Sequence, residues 1–323
     1  MTIHSGDLRG EPTRRRAYRR RMTPRWSPPA GSLLARAELR EKGVHPRRLA
    51  SAEFLEPVPG YCTPAEAPAP VHRIAAVLQQ DLCPEALISH VTAAEILGLP
   101  LPRGLRHAVH SAVHVTIPPG ARQRLGPRVR VHRRRTTATI RPRGLLMPCP
   151  LDLLCGLAGM LGPLALIQVC DALVSDSAKP PIIPLTRLRT QVAAASSLTG
   201  ITKVRVAVAA SRERVESPKE TELRLLLLRH GFAEPEINLP LRLSDGGGGT
   251  RGFRLDLAYP LLRIAIEYDG DAHRTDRSQW TKDRRKDDML HEAGWRVVRV
   301  AQPDLDTPKD LLTRLTALGA PRT

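Results

Sequence analysis

Four acidic side chains in the C-terminal third of the chain have the types and spacing for metal-assisted hydrolysis. Glu267 and Asp269 stand two residues apart at the end of the apolar run RIAIEYD, which places both on one face of a strand. Asp256, in FRLDLAYP, belongs to the preceding strand and can lie beside them across the strand pair. Carboxylates forced into one site repel each other unless a cation neutralises them. Hard oxygen donors of this kind suit Mg²⁺ or Mn²⁺. Glu220, one turn into the preceding helix, can close the site from the side. Acids at strand ends are most often solvated charges. Here, however, an apolar strand stops abruptly at two acids and a glycine, and His273 follows closely. A solvated end has no need of such company.

The elements that must position these groups read in order as helix, strand, glycine turn, strand, strand, loop, helix, strand. Ser217-Pro218 caps a helix that runs to Arg229, with Gly231 as its stop. EINLPLRL and RGFRLDLAYP form a hairpin with the tetraglycine Gly246 to Gly249 at its tip. No Lys-Ser/Thr follows those glycines, so they are not a phosphate loop. WTKDRRKDDMLHEAG is the next helix and WRVVRV the terminal strand. Trp295 and Arg296 read as core and edge. On the helix, Lys282, Arg284, Arg285 and Lys286 alternate with Asp283, Asp287 and Asp288. That pattern fits phosphate contacts and an ordinary solvated face about equally well.

RLDLAYP, then IAIEYDGDAH, then KD followed by GWRVVRV resembles the very-short-patch-repair (Vsr-like) branch of the PD-(D/E)XK nucleases. Within that branch it is similar to a domain often fused behind AbiEi-like regulators. The resemblance covers about Pro218 to Leu318 and implies a restriction-endonuclease-like fold. It implies Asp256 and Glu267 as metal-binding acids, joined by Asp269, with Glu220 and His273 at the site and Asp283 and Lys286 on the following helix. The nuclease signature usually has Glu-x-Lys, whereas here Tyr268 is followed by Asp269. The lysine's role must therefore pass to His273 or to Lys286. The implied chemistry is in-line attack of a metal-bound water on a phosphodiester. An imidazole suits the proton transfers of that reaction near neutrality.

Charge is distributed unevenly. The chain of 323 residues carries a net +18, and from Val215 onward basic and acidic residues balance at 18 each. The whole excess sits in the first 214 residues, and such an excess attracts polyanions, of which nucleic acid is the commonest. Only 7 of the 50 basic residues are Lys, and the bland reading of such an Arg-rich chain is codon usage. The densest patch lies between Ala121 and Arg143, with nine Arg and no acid, among them Arg133, Arg134 and Arg135.

Residues 1–30 are Arg-rich and poor in apolar side chains, and read as a disordered basic arm. SLLARAELREKG and VHPRRLASAEF then read as two helices, with Arg47 and Arg48 on the second facing a major groove. LEPVPGYCTP follows as a wing turning at Pro59-Gly60. VHRIAAVLQQDL reads as an amphipathic helix, Ser89 as the N-cap of VTAAEILG, and His110–Pro118 and Pro127–Arg134 as strands. The winged-helix pattern, ISHVTAAEILGL, VHVTIPPG and VRVHRR resemble the AbiEi-type antitoxin and transcriptional-regulator family, over roughly Gly31 to Val174.

Five scattered cysteines without a CxxC pair argue against a cysteine zinc site and against a secreted disulfide scaffold. No signal peptide is visible. Leu153 to Cys170 is uncharged for 18 residues, the lower limit for a membrane span. Gly156, Gly159 and Gly162-Pro163 interrupt it, so two buried helices are expected in a cytoplasmic protein with reduced thiols.

The expected fold class is multidomain, α+β and α/β. A winged helix-turn-helix (31–68) and a basic mixed α/β region (69–214) precede a restriction-endonuclease-like α/β/α domain (215–323). The expected function is a DNA-binding endonuclease dependent on Mg²⁺ or Mn²⁺. Its partner is nucleic acid, most readily double-stranded DNA, with no membrane and with homodimerisation left open. The rival is a non-catalytic regulator or antitoxin of AbiEi type.

Overall fold

In the computed structural model, which describes residues 26–108, 110–177, 180–244, 249–270 and 277–323, apolar periodicity translates into a mixed α/β architecture with several small sheets. Most of the arm (1–25), residues 245–248 with three of the four tip glycines, and His273 lie outside the described residues.

The chain enters through β1 (Leu34–Ala35), α1 (Arg36–Glu41) and α2 (Pro46–Leu49), then the hairpin β2 (Phe54–Val58) and β3 (Tyr61–Pro64). β3 lies between β1 and β2, and Gly60 takes the positive φ of +81° that the tight turn requires. Leu39, Val44, Leu49, Phe54 and Cys62 bury themselves in a small core of their own. The second helix is shorter than its sequence suggests. It is a single turn, because only Leu49 is buried on it and Ala50 already serves as its C-cap. Arg48 is not free to reach outward as expected. Its guanidinium donates to Glu53 at 2.8 Å, to the Trp26 carbonyl at 2.8 Å and to Ser27 Oγ at 3.1 Å. Arg47 remains exposed.

A larger core runs from Leu33 to Val208. It gathers α3 (Val71–Val77), β4 (Leu87–Ile88), α4 (His90–Ile96), β5 (Val113–Ile117), β6 (Val129–Arg133), β7 (Thr139–Ile140), β8 (Met147–Pro148), α5 (Pro150–Leu157), α6 (Pro163–Val174), α7 (Leu185–Ala194) and α8 (Ile201–Ala210). The helix expected through Leu82 changes to a π-turn at Leu78–Leu82, and the strand expected from His110 begins at Val113. The uncharged stretch breaks into α5 and α6, with Gly162 as N-cap and Pro163 in the first turn. Among the described residues no helix is long and apolar enough to cross a membrane. All five cysteines are buried and unpaired.

The C-terminal part is a four-stranded sheet of order β12-β11-β10-β9. It is formed by β9 (Glu236–Ser244), β10 (Thr250–Tyr259), β11 (Ile264–Tyr268) and β12 (Arg296–Val300). β9, β10 and β11 run antiparallel as successive neighbours, and β12 joins β11 in parallel after α10 (Arg277–Glu292). α9 (Pro218–Arg229), α11 (Gln302–Asp306) and α12 (Lys309–Ala317) cover one face through Leu223, Leu227, Leu305, Leu311 and Leu315. On the other side, Leu290 of α10 and Trp295 pack against Leu255, Ala258 and Ala265. Ser217 caps α9 by accepting from the Glu220 N–H, and Gly231 stops it at φ +75°.

α9 also joins the two parts of the chain. Arg224 and Asp171 of α6 meet with both side chains 1% exposed. Asp171 accepts from Thr221 Oγ1 (2.8 Å) and from the Arg212 N–H (2.8 Å). Arg224 donates to the Ala210 carbonyl (2.8 Å) and to Glu234 (3.1 Å). Removing one partner strands the other charge in the interior. Arg224→Ala should therefore destabilise the protein by about 3–5 kcal/mol, seen as a lowered urea midpoint. A change smaller than about 1 kcal/mol would show that water replaces the guanidinium and that the pair does not hold the two parts together.

Candidate functional site

The β10–β11 ladder fixes the distance between the two principal acids. Leu257 pairs with Ile266, so Asp256 stands one step further along, opposite Glu267 and on the same face. Glu267 is 6% exposed, and Asp256 is half-buried. Burial raises both carboxyl pKa values, and each is pushed against nearby charge. Lys286 opposes this upward drift for both, while the Asp256 charge adds to it at Glu267 and the Glu216 charge adds to it at Asp256.

Lys286 is the cation that α10 lowers onto this pair. Its Nζ donates to both oxygens of Glu267, at 2.7 Å each, and to the Arg254 carbonyl at 3.0 Å. Of the two groups expected to replace the missing Glu-x-Lys lysine, Lys286 is thus in contact with the acid, and His273 lies outside the described residues. The side chain of Asp283 lies outside them too. Asp256 spends one oxygen on the Tyr268 N–H at 2.9 Å.

Glu220 approaches from α9. Its Oε2 accepts from the Asn238 side chain (2.7 Å) and the Glu216 N–H (2.9 Å). Burial, reinforced by the Asp256 charge, pushes its carboxyl up to about 7. Asp269 follows Glu267 past Tyr268, with its backbone N–H on the Val300 carbonyl at 2.8 Å. Its charge acts on Arg299, as that of Glu267 does. Among the described residues, one nitrogen each from His90, His114 and His132 lie within 4.8 Å of one another, close enough to share a metal ion.

Two residues at the site escaped the sequence reading. Arg299 sits opposite Glu267 in the β11–β12 ladder, is attracted by Glu267 and Asp269, and bonds Asp287 at 2.6 Å. RVVRV reads as an apolar terminal strand, and nothing in it announces the register that brings Arg299 to the acids. Asn238 adopts φ +46° within β9, a left-handed kink that Asn tolerates better than most residues, and so turns its amide to Glu220 and to the Arg214 carbonyl (2.7 Å). An Asn interrupting INLPLRL was the available signal.

The basic patch lies on and beyond β6. Arg133 and Arg135 are exposed, although Arg133 also donates to the Ala121 carbonyl at 3.3 Å. Arg134 is half-buried, and its charge lies near enough to the Cys155 thiol to oppose the rise that burial imposes on it. Of the five arginines expected to meet nucleic acid, Arg47, Arg133 and Arg135 are therefore presented to solvent, and Arg48 and Arg134 are half-buried.

Two uncharacterized proteins of Mycobacterium tuberculosis, from strains CDC 1551 / Oshkosh and ATCC 25618 / H37Rv, are 28% identical to this chain over 195 residues. The match spans 60% of this chain and 68% of the relative. No family model matches the chain, and no solved structure matches it.

The pKa of Glu220 has a consequence for stability. A carboxyl raised from 4.5 to about 7 binds a proton in the native state that the unfolded chain has already lost. Its contribution is complete below about pH 4.5 and is lost as pH rises through about 7. Glu220→Gln copies the protonated form. The variant should match wild type below pH 4.5 and exceed it by about 3 kcal/mol above pH 7. Denaturant melts across that range check this, and parallel curves for the two proteins would refute the raised pKa.

Proposed function

We propose that the chain is a DNA-binding, metal-dependent endonuclease, whose C-terminal part is a restriction-endonuclease-like domain of the Vsr-like branch. The observation that carries the reading is the Asp256–Glu267 pair, placed opposite each other on adjacent strands with Lys286 across them. The element order of the sheet, with helices on both sides, supports the same fold. For the N-terminal part, the sheet order β1-β3-β2 around α1 and α2 supports the winged-helix reading of the AbiEi-like region.

The donor set fits a hard dication. Two facing carboxylates, each made costly to ionise by burial, gain from a positive charge between them. Mg²⁺ or Mn²⁺, when bound, supplies Lewis-acid polarisation of water and charge neutralisation at the scissile phosphate. Asp256 and Glu267 would hold it. Lys286 would keep the Glu267 carboxylate in place and offer a positive charge to the leaving or attacking oxygen. Arg299 would hold Glu267 and Asp269 to one side of the strand. The exposed Arg133 and Arg135 would bring the polyanion to a catalytic part that has no net charge of its own.

One observation favours a second reading, a non-catalytic regulator or antitoxin. Lys286 engages both oxygens of Glu267 and so neutralises the acid without any metal. A retired site held shut by an ion pair would look like this.

Incubation of the purified chain with plasmid, single-stranded DNA and RNA, with and without Mg²⁺ or Mn²⁺, separates the two. Metal-dependent cleavage is expected, and Asp256→Asn should lower it by on the order of a hundredfold or more while leaving duplex binding unchanged. Equal cutting by wild type and Asp256→Asn would remove this site from the chemistry, and absence of any cutting would favour the regulator. For binding, Arg133→Ala and Arg135→Ala should weaken duplex affinity and each reduce the salt slope by roughly one. Salt dependence unchanged in the double variant would place the DNA surface elsewhere.

A further inference from the structure

One face of the β4–β5–β6 sheet carries a cluster that the carboxylate site does not use. β5 and β6 pair in parallel, with His114 beside Arg130 and Thr116 beside His132, so these four share a face. Val113, Val115 and Ile117 alternate with them and are buried in the core. His90 reaches the same face from the junction of β4 and α4. His114 Nδ1 lies 3.0 Å from His132 Nε2, and the His90 ring stacks on His132 with centroids 3.6 Å apart. One nitrogen from each ring falls within 4.8 Å of the others.

Three further observations bear on what this cluster is for. First, His90 holds φ +51°, a left-handed conformation that residues with a β-carbon adopt uncommonly and that clusters at functional sites. Second, its ring orientation is fixed from behind. Ser89 Oγ lies 2.9 Å from His90 Nδ1 and accepts from Thr116 Oγ1 at 2.9 Å. A hydroxyl oxygen has two lone pairs, so it can take the Nδ1 proton as well, which leaves Nε2 as the free donor. Third, Gly156 of α5 stands where any side chain would collide with that donor: a β-carbon there would come within 3.0 Å of His90 Nε2. A hydrogen-bonded histidine stack needs neither the backbone strain nor the cleared space.

We propose that His90, His114 and His132 form a three-histidine site for a transition-metal dication of the zinc class, with a fourth position open to solvent. Imidazole nitrogen selects zinc and its neighbours over magnesium, so this ion is distinct from the one assigned to the carboxylates. Imidazole ligates in its neutral form, so affinity for the ion falls as pH drops. Zinc–nitrogen bonds of about 2.0–2.1 Å separate tetrahedral ligands by roughly 3.3 Å. On binding, the His114–His132 pair therefore opens by a few tenths of an ångström, the ring that carried the shared hydrogen takes it on its other nitrogen and stays neutral, and the His132 ring tilts out of its stack on His90 so that both in-plane lone pairs reach the ion. His90 and His132 border a cleft of about 760 Å³ with Arg134, Thr202 and Lys203. Those cations oppose a dication, and they match an anionic fourth ligand such as hydroxide or a phosphate oxygen.

The test uses the untagged full-length chain, stripped with chelator and titrated with Co²⁺ and then Zn²⁺. One equivalent of Co²⁺ should give the visible bands of a tetrahedral site, displaced by Zn²⁺ and not by Mg²⁺. X-ray absorption of the zinc-loaded wild type should count three imidazoles and no sulfur. His114→Ala should weaken Co²⁺ by on the order of a hundredfold or more, and Gly156→Ala, which improves helix propensity, should also weaken it. Asp256→Asn and Glu267→Gln should leave the spectrum intact. The proposal is overturned if wild type gives no tetrahedral spectrum, if absorption finds fewer than three imidazoles, or if the spectrum follows Glu267 instead of the histidines.

Discussion

Where α6 meets α9, the Asp171 carboxylate and the Arg224 guanidinium are shut away from water, and much of the arrangement follows from that contact. Removing two charges from solvent is costly, and their mutual attraction offsets the cost only when the remaining hydrogen-bonding groups are also satisfied. Here Thr221, the Arg212 N–H, the Ala210 carbonyl and Glu234 supply most of those partners, and the buried Arg224 Nε is left without one. The set draws on both sides of the junction, so neither side can satisfy it alone. α9 becomes a shared element: Leu225 packs toward the N-terminal core, and Leu223, Leu226 and Leu227 toward the C-terminal sheet.

The position of the candidate site descends from that helix. Glu220 lies one turn before Arg224, and its contact with Asn238 ties α9 to the kink in β9. β9 carries β10 by a regular antiparallel ladder, and β10 carries Asp256 to Glu267. A carboxylate near neutrality in pKa, two more that burial makes reluctant to ionise, and two cations from α10 and β12 then share a small volume. Such a concentration of opposed charges is tolerable because each group has at least one hydrogen-bonded partner. It also leaves the balance of charge sensitive to a single added cation.

Parts of this were legible in the residues. Ser217-Pro218 and Gly231 bounded α9, because caps and stops act within a few residues of themselves. Strict alternation in RLDLAYP and RIAIEYD gave β10 and β11, and the short turn between them required an antiparallel pair. From that pair the meeting of Asp256 with Glu267 follows. The break at Gly162-Pro163 and the exposure of Arg133 and Arg135 were equally local. VHPRRLASAEF misled, because helical periodicity continued past the last residue with a core to face, and Arg48 found inward partners more than twenty residues away in Trp26 and Ser27.

What the sequence by itself determined were features set by neighbours in the chain: strand faces, caps, turns and the segregation of charge. What only the tertiary structure decided were encounters between distant segments. Lys286 meets Glu267 because α10 packs back over the sheet through Leu290, with Trp295 beyond the helix end in the same cluster. Arg299 reaches the acids through a parallel register that no residue of RVVRV encodes alone. His90, His114 and His132 come from three separate elements, and their spacing along the chain has no periodicity to read. Local patterns report the energy of short-range contacts. Register and docking are chosen by the burial of whole faces, which a sequence window does not contain.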